Sequence, residues 1–130
     1  MRYLLDTHTL LWFDASPEKL SPKVLEILLD EDNQLYLSHA SIWEMQIKYQ
    51  LGKLQLETEL KALINTQQTI NDLRLLDIKT QHIYALKELP AHHRDPFDRL
   101  LISQAMIEQM PLLTIDEKIQ QYEEQIKWLW

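Results

Sequence analysis

Apolar positions along the chain fall into two patterns. Short, mostly apolar runs at Tyr3-Leu4-Leu5, Leu35-Tyr36-Leu37, Leu73 to Leu76, Leu112-Leu113-Thr114 and Ile126 to Leu129 predict five strands. Between them lie longer segments with helical spacing. Ser21-Pro22 combines an N-cap residue with proline at the first helical position and opens a helix to about Asp30. Ile42, Met45 and Tyr49 mark a helix over Ser41 to Leu51, with Gly52 just past its end. Leu60 to Ile70 reads as helical, and Thr80 starts a helix that Pro90 forbids beyond Leu89. Asp95-Pro96 opens the strongest helix, running to about Gln109. Leu100, Leu101, Ile102, Ala105, Met106 and Ile107 make it apolar nearly all round, which predicts a buried helix. A short helix over Asp116 to Tyr122 precedes the last strand.

Short strands joined by helices predict an α/β fold, a parallel sheet of about five strands covered on both faces. The length of 130 residues suits one domain, 1–130, and the single glycine and scattered prolines leave no linker to divide it. With no cysteine, disulfides, thiolate metal sites and a cysteine nucleophile are excluded. The apolar run after Met1 is too short for a signal peptide or a membrane span, so a cytoplasmic location is expected.

Charge narrows the chemistry. Thirteen Lys and Arg against 20 Asp and Glu give a net charge of −7, which argues against a broadly basic grip on nucleic acid. It leaves room for a local basic patch or for an acidic pocket balanced by bound cations. Asp6 ends the first strand and Asp116 follows the fourth, while Asp95 and Asp98 open the buried helix. Glu44 lies in the first turn of the helix after strand two. In a parallel sheet these positions share the carboxyl edge where ligands bind. Carboxylates gathered there cannot all stay ionised without a compensating cation, and hard oxygen donors suit Mg²⁺ or Mn²⁺. Phosphodiester cleavage uses such a centre.

Each acid also has a purely structural reading. Asp6 and Asp116 suit helix N-caps. Ser41-Ile42-Trp43-Glu44 fits a capping box, and Asp95 to Arg99 fits an i,i+4 ion pair. Asp98 differs: Leu101, Ile102 and Ala105 share its helix face, so its carboxylate leans toward a buried surface. Four acids at matching strand-to-helix junctions are harder to dismiss together than singly.

Other side chains divide between function and packing. His92-His93-Arg94, with Arg99 or Lys48, suits either RNA phosphate contacts or a solvated loop. His8 and His39 near strand ends suit supporting or packing roles. Trp43 and Trp128 are expected in the core and Trp130 as a terminal packing residue, while Trp12-Phe13 offers an apolar surface for a partner.

Several stretches together resemble the PIN-domain proteins, specifically the VapC-type toxin ribonucleases of bacterial toxin–antitoxin pairs. They are Leu4-Leu5-Asp6-Thr7-His8, Ser41-Ile42-Trp43-Glu44, the run from His93-Arg94-Asp95-Pro96-Phe97-Asp98-Arg99 to Ile102, and Leu113-Thr114-Ile115-Asp116. The resemblance spans essentially the whole chain, and Arg-Asp-Pro-Phe-Asp-Arg is its most specific part. It implies a PIN fold, Mg²⁺- or Mn²⁺-dependent endoribonuclease activity, a cognate antitoxin and a homodimer. Carried over by position, Asp6, Glu44, Asp98 and Asp116 are the catalytic, metal-holding quartet. Asp95 is an extra acid in a supporting or cap role, and Thr7 and Thr114 are supporting hydroxyls. Two other classes compete: a module that binds its antitoxin without catalysis, and a receiver-like phosphoacceptor domain. The latter wants adjacent acids after strand one and a lysine after the last core strand, and neither is clear.

Overall fold

A computed structural model describes all 130 residues. Five parallel strands form one sheet: β1 (Arg2–Leu5), β2 (Gln34–Ser38), β3 (Arg74–Leu76), β4 (Leu112–Leu113) and β5 (Trp128–Leu129), in the order β3-β2-β1-β4-β5. Leu4 pairs with Tyr36 on one side and Leu112 on the other, so β1 is central. Successive residues of β1 and of its neighbours point to opposite faces. Tyr3, Leu5, Leu35, Leu37 and Leu113 point into one core, and Leu4 and Leu112 point into the other. This two-sided burial is why the strands read as continuous apolar runs rather than alternating ones.

Helices α1 (Thr7–Ala15), α2 (Pro22–Leu29), α3 (His39–Gln50) and α4 (Leu60–Asn71) contribute Leu10, Val24, Leu28, Met45, Leu63 and Ile64 to the first core. On the opposite face α6 (Pro96–Glu108) and α7 (Glu117–Gln120) contribute Leu101, Ile102, Ala105 and Ile119, joined by Tyr122. Burying each such large apolar side chain contributes roughly 1.5–3 kcal/mol. No helix is long and apolar enough to cross a membrane.

Several expectations need correction. Helix α1 has no periodic signature in the sequence, because Leu10-Leu11-Trp12-Phe13 is an apolar block without amphipathic spacing. Helix α3 begins at His39, not Ser41: Ser38 is its N-cap, its Oγ accepting from the Ala40 N–H at 3.0 Å. Ser41 is therefore a buried residue inside the helix, the capping-box pattern is not a cap, and Glu44 sits in the second turn rather than the first. Helix α5 (Thr80–Tyr84) gives way to a 3-10 turn over Ala85–Glu88 before Pro90. The α2 start stands as read, with Ser21 Oγ accepting from the Val24 N–H. Past the last residue of α3, Gly52 takes φ +72, and Asp72 and Gln109 take the same left-handed role where no glycine is available.

Candidate metal centre

Because every strand runs the same way, the residue after each strand and the helix start that follows it meet at one sheet edge. Asp6 caps α1: its Oδ1 accepts from the Thr9 N–H at 2.8 Å and from Thr9 Oγ1 at 2.7 Å. Thr9 Oγ1 also lies 2.9 Å from the Leu113 carbonyl, tying the cap to β4. Burial raises the Asp6 carboxyl above the ordinary range against the pull of hydrogen bonds from the Thr114 hydroxyl and from Thr9.

Glu44 reaches the same edge from α3 and is buried, at 7% exposure. Thr7 donates its hydroxyl to Oε1 at 3.0 Å, and Lys48, one turn on, lies 3.5 Å from Oε2. Asp95 caps α6, its Oδ1 accepting from the N–H groups of Phe97 and Asp98. Asp98 projects from the first turn, and its Oδ2 lies 2.7 Å from His93 Nε2. Its carboxyl is pushed up to about 6, chiefly by burial and further by the nearby Asp95 and Glu44, while His93 works in the opposite sense. Asp116 caps α7 through Oδ1, which accepts from Lys118 and Ile119, and Thr114 Oγ1 accepts from the Asp116 N–H.

All four predicted site residues, with Asp95, line one cleft of about 250 Å³, whose rim carries Lys48, Lys53 and His8. Two sets of donor atoms are close enough to share one ion: Glu44, Asp95 and Asp98, and His93, Asp98 and Asp116, with ligand atoms mutually within 4.8 Å. Asp98 belongs to both sets, whereas Asp6 lines the cleft outside either. Five carboxylates face two lysines here, and burial raises two of the acids. That imbalance and the predominantly oxygen donor set fit a small hard dication.

The surrounding residues sort themselves differently from expectation. Arg99 makes no ion pair with Asp95. Its guanidinium instead points at the carbonyls of Leu86, Leu89, Pro90 and His93 and at the Tyr122 hydroxyl. A group so occupied is not free to hold phosphate. His93 is not a solvated loop residue: its ring turns inward, with Nε2 2.7 Å from Asp98 Oδ2. Trp43 is not in the core: it is 59% exposed, with its ring edge-on to Phe97 at 5.0 Å. Trp128 lies half-buried in β5, and Trp130 packs edge-on against Trp12. His8 is exposed beside Trp12, and His39 pairs with Asp77 on the surface. Sequence reasoning missed Thr9 and Tyr122. The first had a signal, the Asp-x-x-Thr spacing of a cap; the second had none short of the folded contacts.

The PIN domain family matches residues 3–125 of the chain. No curated protein sequence matches it. Among solved structures, VapBC2 from Rickettsia felis, bound to a DNA fragment from its promoter, is similar at 18% identity and a TM-score of 0.74, covering 99% of this chain and 98% of that one. DNA-bound VapBC from Salmonella typhimurium is similar at 15% identity and a TM-score of 0.68, covering 99% and 97%. VapBC-1 from nontypeable Haemophilus influenzae is similar at 18% identity and a TM-score of 0.65, again covering 99% and 97%. At these identities the likeness is one of fold.

Proposed function

The chain belongs to the PIN domain family, and from that premise we propose that it is a VapC-like toxin, a metal-dependent endoribonuclease hydrolysing RNA phosphodiester bonds. The observation that carries this reading is the convergence of Asp6, Glu44, Asp95, Asp98 and Asp116 on one cleft. Asp6, Glu44, Asp98 and Asp116 are the proposed metal-holding and catalytic residues. One or two Mg²⁺ or Mn²⁺ ions bound there would supply the Lewis acidity and the charge neutralisation that phosphodiester hydrolysis needs.

The chain's own contribution is to hold carboxylate oxygens in place before substrate arrives. Thr7 and Lys48 fix Glu44 from two sides, and Thr9 fixes Asp6 against β4. Asp98, shared between the two donor sets, is the hinge of the centre. Without cations the cleft repels a phosphate, so cleavage would follow metal occupancy. Lys48 and Lys53 on the rim would meet flanking phosphates, and unpaired RNA is the form whose scissile group can enter a cleft this size.

A cognate antitoxin is the proposed partner, supported by the fold likeness to chains solved as VapBC assemblies. A neighbouring groove of about 360 Å³ is lined by Leu11, Trp12, Leu54, Leu56 and Leu63, and it shares Leu11 and Leu54 with the acidic cleft. An amphipathic segment seated there would bring a basic side chain to the carboxylates. A homodimer is proposed as the working assembly.

Cleavage of total cellular RNA by the purified protein, with wild type and Asp6→Asn side by side, tests the reading. Metal-dependent cuts by the wild type alone support it. A metal-loaded wild type that leaves RNA intact favours the non-catalytic antitoxin-binding module.

A further inference from the structure

Asp98 is the one acid in both donor sets, and its side chain has a single hydrogen-bonding partner, His93. The loop that carries His93 is held with unusual care. The His93 N–H donates to the Tyr122 hydroxyl at 2.9 Å, and the His93 carbonyl accepts from Arg99 at 3.2 Å. The Tyr122 hydroxyl in turn donates to the Pro90 carbonyl at 2.7 Å and accepts from Arg99. Arg99 also reaches the Leu86 and Leu89 carbonyls. Tyr122 is fully buried and the Arg99 guanidinium is taken up by carbonyls and the Tyr122 hydroxyl, so what this clamp fixes is the loop.

The imidazole is oriented from both sides. Its Nδ1 faces the backbone N–H of Asp95 at 3.4 Å and so acts as acceptor, which puts the hydrogen on Nε2, 2.7 Å from Asp98 Oδ2. That hydrogen bond occupies Oδ2 and leaves Oδ1 without a protein donor. A metal-holding carboxylate with one oxygen tied to a fixed donor has lost most of its rotational freedom before the ion arrives.

We propose that His93 is a positioning residue of the metal centre. Held by the Arg99–Tyr122 clamp, it donates Nε2–H to Asp98 Oδ2 and presents the other carboxylate oxygen to the ion. This rests on the metal-centre reading above. In this role His93 gives the ion no ligand, because a nitrogen that carries a hydrogen has no lone pair to give, and Asp98 and Asp116 are left as the oxygen donors of the second set.

Calorimetric titration of Mn²⁺ into wild type, His93→Gln, His93→Ala and Tyr122→Phe tests it, with thermal melts on each. His93→Ala is expected to weaken Mn²⁺ binding about 10-fold or more, the usual consequence of removing a partner of a metal ligand. His93→Gln places an amide N–H near the Nε2 position and is expected to stay within about threefold of wild type. Tyr122→Phe removes the hydroxyl that holds the His93 N–H and is expected to weaken Mn²⁺ binding; unchanged affinity there would overturn the clamp's part in the proposal. A residue that only stabilised the fold would lower the melting temperature in both His93 variants and leave affinity unchanged in the folded fraction. In the wild type, ¹⁵N shifts of the ring report the tautomer whether or not any variant folds. Wild-type affinity in His93→Ala, equal losses in the Gln and Ala variants, or a hydrogen on Nδ1 instead of Nε2 would each overturn the positioning role. No Mn²⁺ binding by wild type would overturn the metal centre itself, a separate result.

Discussion

Replacing Asp98 by asparagine should stabilise the metal-free protein at neutral pH and leave it nearly unchanged in acid. The folded Asp98 carboxyl is pushed from 3.8 up to about 6 by burial and by Asp95 and Glu44. The native state therefore holds this proton more tightly than the unfolded chain does. Between about pH 4 and 6 the native state binds more protons, so stability falls as pH rises, and above about pH 6 the whole penalty is present. The gap between the two values corresponds to about 3 kcal/mol. Asparagine has the same shape without the charge and can still accept from His93, though a neutral acceptor forfeits about 1 kcal/mol of that hydrogen bond. The net gain is then about 1–3 kcal/mol at pH 7.5, or roughly 4–12 °C in melting temperature for a domain of this size. Asp6, whose carboxyl is also raised by burial, acts alike in both proteins and cancels from the difference.

Thermal melts of wild type and Asp98→Asn in EDTA, at pH 4.5 and at pH 7.5, measure this directly. Adding Mn²⁺ supplies a second check, because an ion that binds only the folded state at a hundred times its dissociation constant adds about 2.7 kcal/mol. Wild type should recover with metal and the variant should not. An asparagine variant less stable than wild type at pH 7.5 in EDTA would refute the reasoning, as would a difference that is the same at both pH values.

Three further outcomes follow from the same geometry. Cleavage of RNA should vanish in excess EDTA and in Asp6→Asn while circular dichroism shows the variant folded; undiminished cutting in EDTA would remove the metal from the mechanism. Thr9→Val keeps the side-chain shape but deletes the hydroxyl between Asp6 and the Leu113 carbonyl, so denaturant unfolding should show a loss of about 1–2 kcal/mol. Binding of a cognate antitoxin should weaken as Mg²⁺ rises if its basic side chain and the metal compete for Asp6, Glu44, Asp98 and Asp116; equal calorimetric affinity at zero and saturating Mg²⁺ would place the antitoxin away from the cleft.

The sheet was readable because both its faces are apolar, and that signal survives in the sequence without any tertiary knowledge. Tyr3-Leu4-Leu5 and Leu35-Tyr36-Leu37 feed opposite cores residue by residue, so no polar position interrupts them. Local signals failed where two of them competed. Ser38 and Ser41 both precede helical spacing, but only Ser38 stands at the end of a paired strand, and strand pairing decides where the helix may begin. Residue type alone would place Trp43 in the core, yet it is exposed. Its neighbours Glu44 and Met45 take the buried face of α3, which turns Trp43 outward. The His93 environment could not be read at all, since Tyr122 lies 29 residues along the chain and meets it only in the folded state.

For Asp6, Asp95 and Asp116, cap and ligand are not rival roles in this fold. In a parallel sheet the turn from strand end to helix start places an N-cap at the carboxyl edge, which is also where ligands gather. An N-cap aspartate needs one oxygen for the exposed N–H groups of the first turn. Asp95 and Asp116 each use Oδ1 in this way and have a second oxygen to spare. The cap fixes the carboxylate's direction. The capping interaction thus prepares the ligand rather than competing with it. Asp98 has no cap to fix it, being inside the first turn of α6 rather than before it. Its direction is set instead by a donor outside the helix, His93, which the Arg99–Tyr122 clamp holds beside it.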